Sequence, residues 1–184
     1  LELCRLRGAQ AVGVDLPEFD LTRPETIEQT LDRVRPAAVI NTAAYTRVDR
    51  AEEEPELCNA VNVKGVGHLA EACEARGCAL VHISTDYVFG QDDPRREPYR
   101  ETDPPEPRGV YARSKLQGEQ QAARCTRHLV VRTCGLYGEL GPRSPGNFLH
   151  TMLRLARERE RLSIVDDQHV TPSYVPHVAR AIRF

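Results

Sequence analysis

Short, continuously apolar runs recur along this chain, and stretches with helical spacing lie between them. No other feature constrains the fold as strongly. A strand that is apolar on both faces must be covered on both faces, and strand–helix alternation builds a parallel sheet. The runs Ala11–Asp15, Ala37–Asn41, Leu80–Ser84, His128–Thr133 and Leu162–Val165 read as five strands. Thr22 opens a helix, with Glu25 at capping-box spacing and Pro24 in the first turn. A long helical region runs from Val48 to Arg76 with a break near Pro55. There Leu57, Val61, Leu69 and Cys73 recur on one face, and Gly77 stands at the C′ position. Further helices are expected over Val110–Ala123 and Phe148–Arg159, and a last one from near Pro176. The expected fold class is α/β, a doubly wound parallel sheet with helices on both faces.

At 184 residues the chain is one domain, or one and a fragment, at roughly 150 residues per domain. Its 25 basic and 27 acidic side chains leave a formal charge of -2, which argues against nucleic-acid and polybasic membrane-surface binding. No apolar run approaches the roughly 20 residues of a spanning helix. The six cysteines form no Cys-x-x-Cys pair, so neither a zinc site nor a disulfide framework is read, and a cytoplasmic location with reduced thiols is expected. Two segments read as loops: Gln91–Arg108, with five prolines, and the Gly- and Pro-rich Gly135–Gly146. Both follow strand ends, where open α/β sheets bind ligands.

Tyr111 and Lys115 are four residues apart, on one helix face. An ammonium there favours phenolate and pulls a tyrosine below its usual value of about 10, so that the phenol can hand a proton to a carbonyl oxygen. The spacing alone is common on helix surfaces. Ser84-Thr85-Asp86 ends a strand and offers a hydroxyl to the same oxygen, although these residues equally suit a turn. Asn41-Thr-Ala-Ala-Tyr-Thr46 ends the preceding strand with small residues, which let a flat ring approach the backbone or simply pack closely. Asp15 ends the first run, where an acid can accept hydrogen bonds from a ribose or serve as an ordinary turn residue.

Longer blocks surround these residues: Val39–Asp49 with Ala51-Glu52-Glu53, Asn62, Ser84-Thr-Asp-Tyr-Val-Phe89, Pro98–Asp103, Val110–Glu119, Val131-Arg-Thr133, Gly146-Asn-Phe148, Asp167-Gln168 and Thr171-Pro172. In this order they resemble the extended short-chain dehydrogenase/reductases, and among them the sugar-nucleotide reductases of the dTDP-4-dehydrorhamnose reductase family. The resemblance covers essentially the whole chain and implies a Rossmann-like fold. It implies hydride transfer from NADPH or NADH to the 4-keto group of dTDP-4-dehydro-L-rhamnose, giving dTDP-L-rhamnose for surface polysaccharide. Tyr111 then corresponds to the proton donor and Lys115 to the residue that tunes it and holds the nicotinamide ribose. Thr85 is the hydroxyl partner of the carbonyl, Asp86 lies near the substrate, and Asn62 matches a helix-kink Asn that supports the Lys through water. Asp15, Asp20 and Leu21 match positions near the adenosine, and Ala43, Ala44, Tyr45 and Thr46 match the nicotinamide half. An acid at Asp15 repels a 2′-phosphate, so NADH should at least be tolerated.

The match departs in places. The ribose acid follows a glycine-rich phosphate loop by about 20 residues in this fold. With the acid at Asp15, that loop is expected before Leu1, and Leu1–Arg7 reads as the tail of the helix after it. The expectation is therefore a partial NAD(P)-binding domain, truncated at both ends, with the substrate-binding part beginning at about residue 135. The 184 residues alone are expected to be poorly stable, inactive, and unable to bind NAD(P)H. Gly135 stands where the family tends to carry a substrate-contacting aromatic, a contact that Tyr137 would have to replace. His169-Val170 replaces an aromatic–Gly pair. Two other readings share these residues: a sugar-nucleotide epimerase or dehydratase, and a non-catalytic NADP-binding regulatory subunit like that of methionine adenosyltransferase. Expected partners are a nucleotide sugar and, for the full-length protein, a second copy in a homodimer, with no nucleic-acid polymer, membrane or metal.

Overall fold

Pro24 opens the first helix, α1 (Pro24–Val34), in a computed structural model that describes residues 8–90, 97–139, 147–166 and 170–182, with Cys4 and Leu6. The chain forms two units, one of residues 12–132 and one of residues 1–11 with 133–184. In the first unit α1 buries Ile27 and Leu31, one turn apart. Its N-cap is Arg23, which makes no side-chain cap, so the expected capping box at Thr22 is not formed. Asp20 captures Thr22 instead, accepting from its backbone N at 2.8 Å and its hydroxyl at 2.7 Å. Thr26 ties the turn down through the carbonyls of Asp20 and Arg23.

β1 (Ala38–Asn41) pairs in parallel with β2 (Ala79–Thr85), Ala38 opposite Ala79 and Asn41 opposite His82, and β3 (His128–Thr133) lies on the far side of β2. This is the α/β, Rossmann-like parallel sheet expected. Two of the five expected strands are not strands. Residues 11–15 and 162–165 lie outside any ladder, with Val12, Ile164 and Val165 exposed. Apolar composition does not make a strand without a neighbouring edge to take its backbone hydrogen bonds, and among the described residues β1 pairs only with β2. The pairing that does form after β3 is a short parallel one, β4 (Leu136–Tyr137) with β5 (Ser173–Tyr174).

The helical region after β1 comes in pieces: α2 (Val48–Ala51), α3 (Pro55–Asn59), a π-helical turn (Ala60–Gly65) and α4 (Val66–Ala75). The expected single apolar face fails at its start. Leu57 is 50% exposed and Cys58 is buried in its place, because the π turn inserts an extra residue and resets the helical phase. Beyond the turn Leu69 and Cys73 are buried as expected, and Gly77 follows the helix with φ +63°. Helix α5 (Gly109–Ala122) lies against α4, the π turn and β2. Gly118 permits this approach: a Cβ there would collide with the carbonyl oxygen of Asn62. Residues 97–108 hold no helix or strand, as the prolines require.

In the second unit α6 (Phe148–Glu158) is capped by Asn147, which accepts from the His150 backbone N at 3.0 Å. Helix α7 (Val175–Ala181) follows β5. Cys4 and Leu6 are helical, in keeping with a helix tail there. Gly146 and Asp167–His169 lie outside the described residues.

Candidate active site

Strand β2 carries its polar residues at its carboxyl end. Leu80 and Val81 fill the core, and Ser84 and Thr85 remain buried as the strand runs out into a 3₁₀ turn (Asp86–Phe89). Helix α5 crosses this end and lays Tyr111 over it. The Thr85 side chain lies close to the Tyr111 phenol, and Tyr87 meets the phenol ring edge-on at 5.9 Å. Lys115 lies one turn further along α5, 2% exposed, and donates to the Ile83 carbonyl at 2.8 Å. Thr85, Tyr111 and Lys115 therefore share the end of one strand, and Asp86 follows directly.

The electrostatics differ from the sequence expectation. Burial pushes Tyr111 above the usual value of a phenol, only partly opposed by the nearby Thr85 side chain. The Lys115 ammonium is spent on the Ile83 carbonyl rather than on the phenol. Burial brings Lys115 itself down to about 8, with Glu119 as the opposing influence. At neutral pH the pair is thus a protonated phenol and a protonated ammonium.

Asn62 makes direct contacts of its own. Its Oδ1 accepts from Tyr45 N at 2.8 Å, and its Nδ2 donates to Tyr45 O at 3.1 Å and to Ser114 Oγ at 2.9 Å. Ser114 in turn donates to the Tyr111 carbonyl at 2.7 Å. The π turn, a common device at functional sites, aims this one side chain at both the segment after β1 and the helix that carries Tyr111. Within residues 43–46, Ala43 and Thr46 are exposed and Ala44 and Tyr45 half-buried, and the Tyr45 hydroxyl donates to Glu54 at 2.6 Å. A pocket of about 480 Å³ is lined by Ala44, Tyr45, Thr46, Arg47, Arg50, Glu54 and Leu57.

The remaining expected residues lie elsewhere. Asp15 is exposed and accepts from Leu16 N at 2.8 Å, and Asp20 holds Thr22. Leu21 is a core side chain, which leaves only its backbone to meet a ligand. Tyr137 belongs to the second unit, where it packs on Tyr174 at 5.4 Å and lines a pocket of about 210 Å³ with Leu149 and His150. Gly135 has φ +46°, a backbone state that an aromatic residue adopts only with strain.

Two groups carry weight that sequence reading did not assign. Glu119, 7% exposed, accepts from Ser84 Oγ at 2.6 Å and from Arg132 Nε and Nη2 at 2.9 and 2.6 Å. The Arg132 guanidinium lies 4.6 Å from the centre of the Phe89 ring. This network joins α5, β2 and β3 beneath Thr85. The second group is His82, fully buried. Ala43 N donates to Asn41 Oδ1, so Asn41 Nδ2 faces His82 Nδ1 at 3.1 Å, and the proton belongs on Nε2, which has no partner among the described residues. Burial holds His82 down to about 3, so the ring is neutral. A histidine within an apolar strand was the signal available for His82; nothing in the sequence around Glu119 marks its burial.

The donor set suits a dinucleotide. An ammonium of this burial, with one carbonyl acceptor for three N–H groups, can bind ribose hydroxyls, and the small residues after β1 leave the backbone open to a flat ring. No helix among the described residues is long and apolar enough to cross a membrane.

Comparison with known proteins agrees. The family model for the RmlD substrate binding domain matches residues 1–184. The dTDP-4-dehydrorhamnose reductase of Salmonella typhimurium is 41% identical over 167 residues, covering 89% of this chain and 54% of that protein. The Bacillus anthracis dTDP-4-dehydrorhamnose reductase, solved in complex with NADP, superposes with a TM-score of 0.90 at 38% identity, over 98% of this chain and 63% of that one. The Thermus thermophilus UDP-glucose 4-epimerase in complex with NAD gives 0.78 at 26% identity, over 98% of this chain and 67% of that one. The chain spans about half the length of the curated relatives it matches. By sequence and fold it belongs to the RmlD substrate-binding-domain family, that of the dTDP-4-dehydrorhamnose reductases.

Proposed function

We propose that this chain carries the carbonyl-reducing centre of a nucleotide-sugar reductase that converts dTDP-4-dehydro-L-rhamnose to dTDP-L-rhamnose with NADPH or NADH. The observation that carries the reading is the placement of Thr85 beside Tyr111 at the carboxyl end of β2, with the buried Lys115 ammonium one turn away. When bound, the cofactor supplies a hydride; the protein supplies the proton. Tyr111, kept protonated by its burial, donates to the 4-keto oxygen as negative charge develops there. Thr85 is the second hydroxyl on that oxygen. Lys115 and Ala43–Thr46 hold the nicotinamide ribose half, with Asn62 fixing the Tyr45 backbone. Asp15, with Asp20 and Leu21, faces the adenosine ribose, and its charge disfavours a 2′-phosphate. Asp86 and Tyr137 belong to the substrate side.

In this reading residues before about 135 are the cofactor-binding part, and those after it begin the substrate-binding part. The protein works in the cytoplasm, the full-length form pairs as a homodimer, and no nucleic-acid polymer is a partner. The test is stoichiometry with the full-length protein. Each dTDP-L-rhamnose formed should consume one NAD(P)H. Absence of product contradicts the reading, and so does turnover with no net cofactor consumption, as an epimerase would give.

A further inference from the structure

The helix that carries Tyr111 begins badly. Its N-cap is Arg108, which offers no side-chain acceptor, although the first backbone N–H groups of a helix need one. The acceptor comes from 58 residues away: Glu52 Oε1 accepts from Val110 N at 2.6 Å. The chain is shaped for it. Gly109 has φ +77°, and a Cβ at that position would stand 2.9 Å from the same Glu52 oxygen. Glu52 ends α2, the helix that directly follows Ala43–Thr46. It therefore ties the segment after β1 to the first turn of α5, one residue from Tyr111. The Asn62–Ser114 bond makes a second tie one turn further along.

We propose that Glu52 is a positioning residue. Its carboxylate caps α5 from outside and fixes the Tyr111 phenol relative to the Ala43–Thr46 segment, so that proton donor and cofactor side keep one register. The proposal rests on Tyr111 being the proton donor. A cap supplied from the chain's own N-cap position would stabilise α5 equally well but would not couple it to Ala43–Thr46. The distinction is therefore in turnover, not in folding alone.

The experiment compares Glu52→Ala, Glu52→Gln, Glu52→Asp and Tyr111→Phe in the full-length protein, with kcat and KM for both substrates and a thermal melt for each. Loss of a cap and a small displacement of the phenol should lower kcat about tenfold in Glu52→Ala, with both KM values within about twofold. Glu52→Gln keeps a neutral acceptor at the same reach and should recover kcat to within about threefold of wild type. Glu52→Asp keeps the charge but is one methylene short, and should behave like alanine. A lowered melting temperature with unchanged kcat in Glu52→Ala overturns the proposal. So does Glu52→Asp with wild-type kcat, or Glu52→Gln as impaired as alanine. Should alanine fail to fold, the Gln and Asp variants decide alone. Tyr111→Phe at wild-type kcat overturns the reading of Tyr111 and this proposal with it. Tyr111→Phe inactive beside Glu52→Ala at wild-type kcat overturns this proposal only.

Discussion

Replacing Glu119 by Leu should be among the most destabilising single changes near the site. The carboxylate takes three hydrogen bonds, one from Ser84 and two from Arg132. Charge-assisted hydrogen bonds contribute about 1.5–3 kcal/mol each, and breaking a buried ion pair costs about 3–5 kcal/mol. Arg132 keeps its contact with Phe89, and its side chain is 23% exposed, so water can reach part of the stranded guanidinium. That places the loss near the lower end, about 3 kcal/mol. Equilibrium urea unfolding reads this as a midpoint shift of about 1.5 M, for a slope of about 2 kcal/mol per M. The double variant Glu119→Leu with Arg132→Leu removes the stranded charge and should lose only about 1 kcal/mol, about 2 kcal/mol less than Glu119→Leu alone. Glu119→Leu within about 0.5 kcal/mol of wild type would refute the network as a structural tie. Because Ser84 precedes Thr85, a real loss should also lower turnover.

Asn62→Ala removes both backbone anchors of Tyr45 and should raise KM for the cofactor at least fivefold; an unchanged KM contradicts its role in shaping that segment. His82, held at about 3 when folded against about 6.5 when unfolded, makes the unfolded chain the better proton acceptor between those values. Its contribution to stability is therefore intact above about pH 6.5 and lost as pH falls toward 3, and His82→Gln should flatten the acid limb of a stability–pH curve. An unaltered limb refutes that. Asp15→Ser should shift the ratio of kcat/KM toward NADPH, and no shift removes Asp15 from the adenosine site.

The parts of the fold legible in sequence were those in which neighbouring residues along the chain carry the whole signal. Leu80–Ser84 reads as a buried strand, and α5 as a helix, because local pattern and burial agree; Ala37–Asn41 forms its strand, but among its residues only Asn41 is buried and Ile40 is 45% exposed. Ala11–Asp15 and Leu162–Val165 have the same apolar composition, but a strand exists only through its partner's hydrogen bonds, which composition does not encode. The π turn at Ala60–Gly65 leaves no compositional mark, yet it swaps Leu57 for Cys58 on the buried face. At the site, Tyr111, Lys115 and Thr85 were readable from helix spacing and a strand end. The acceptor that Lys115 finds was not, since Ile83 offers only a backbone carbonyl. Nor were the Glu119–Arg132 pair and the Glu52 cap, whose partners meet only once α5 has docked.

The central claim is that Tyr111 gives the proton in a carbonyl reduction. Its most direct test is the rate of NAD(P)H oxidation by full-length protein with dTDP-4-dehydro-L-rhamnose, wild type against Tyr111→Phe, with cofactor affinity measured alongside. Loss of a general acid should lower kcat about 10²–10⁴-fold while cofactor affinity stays within about threefold. A Tyr111→Phe protein that reduces the sugar at near wild-type rate would contradict the account.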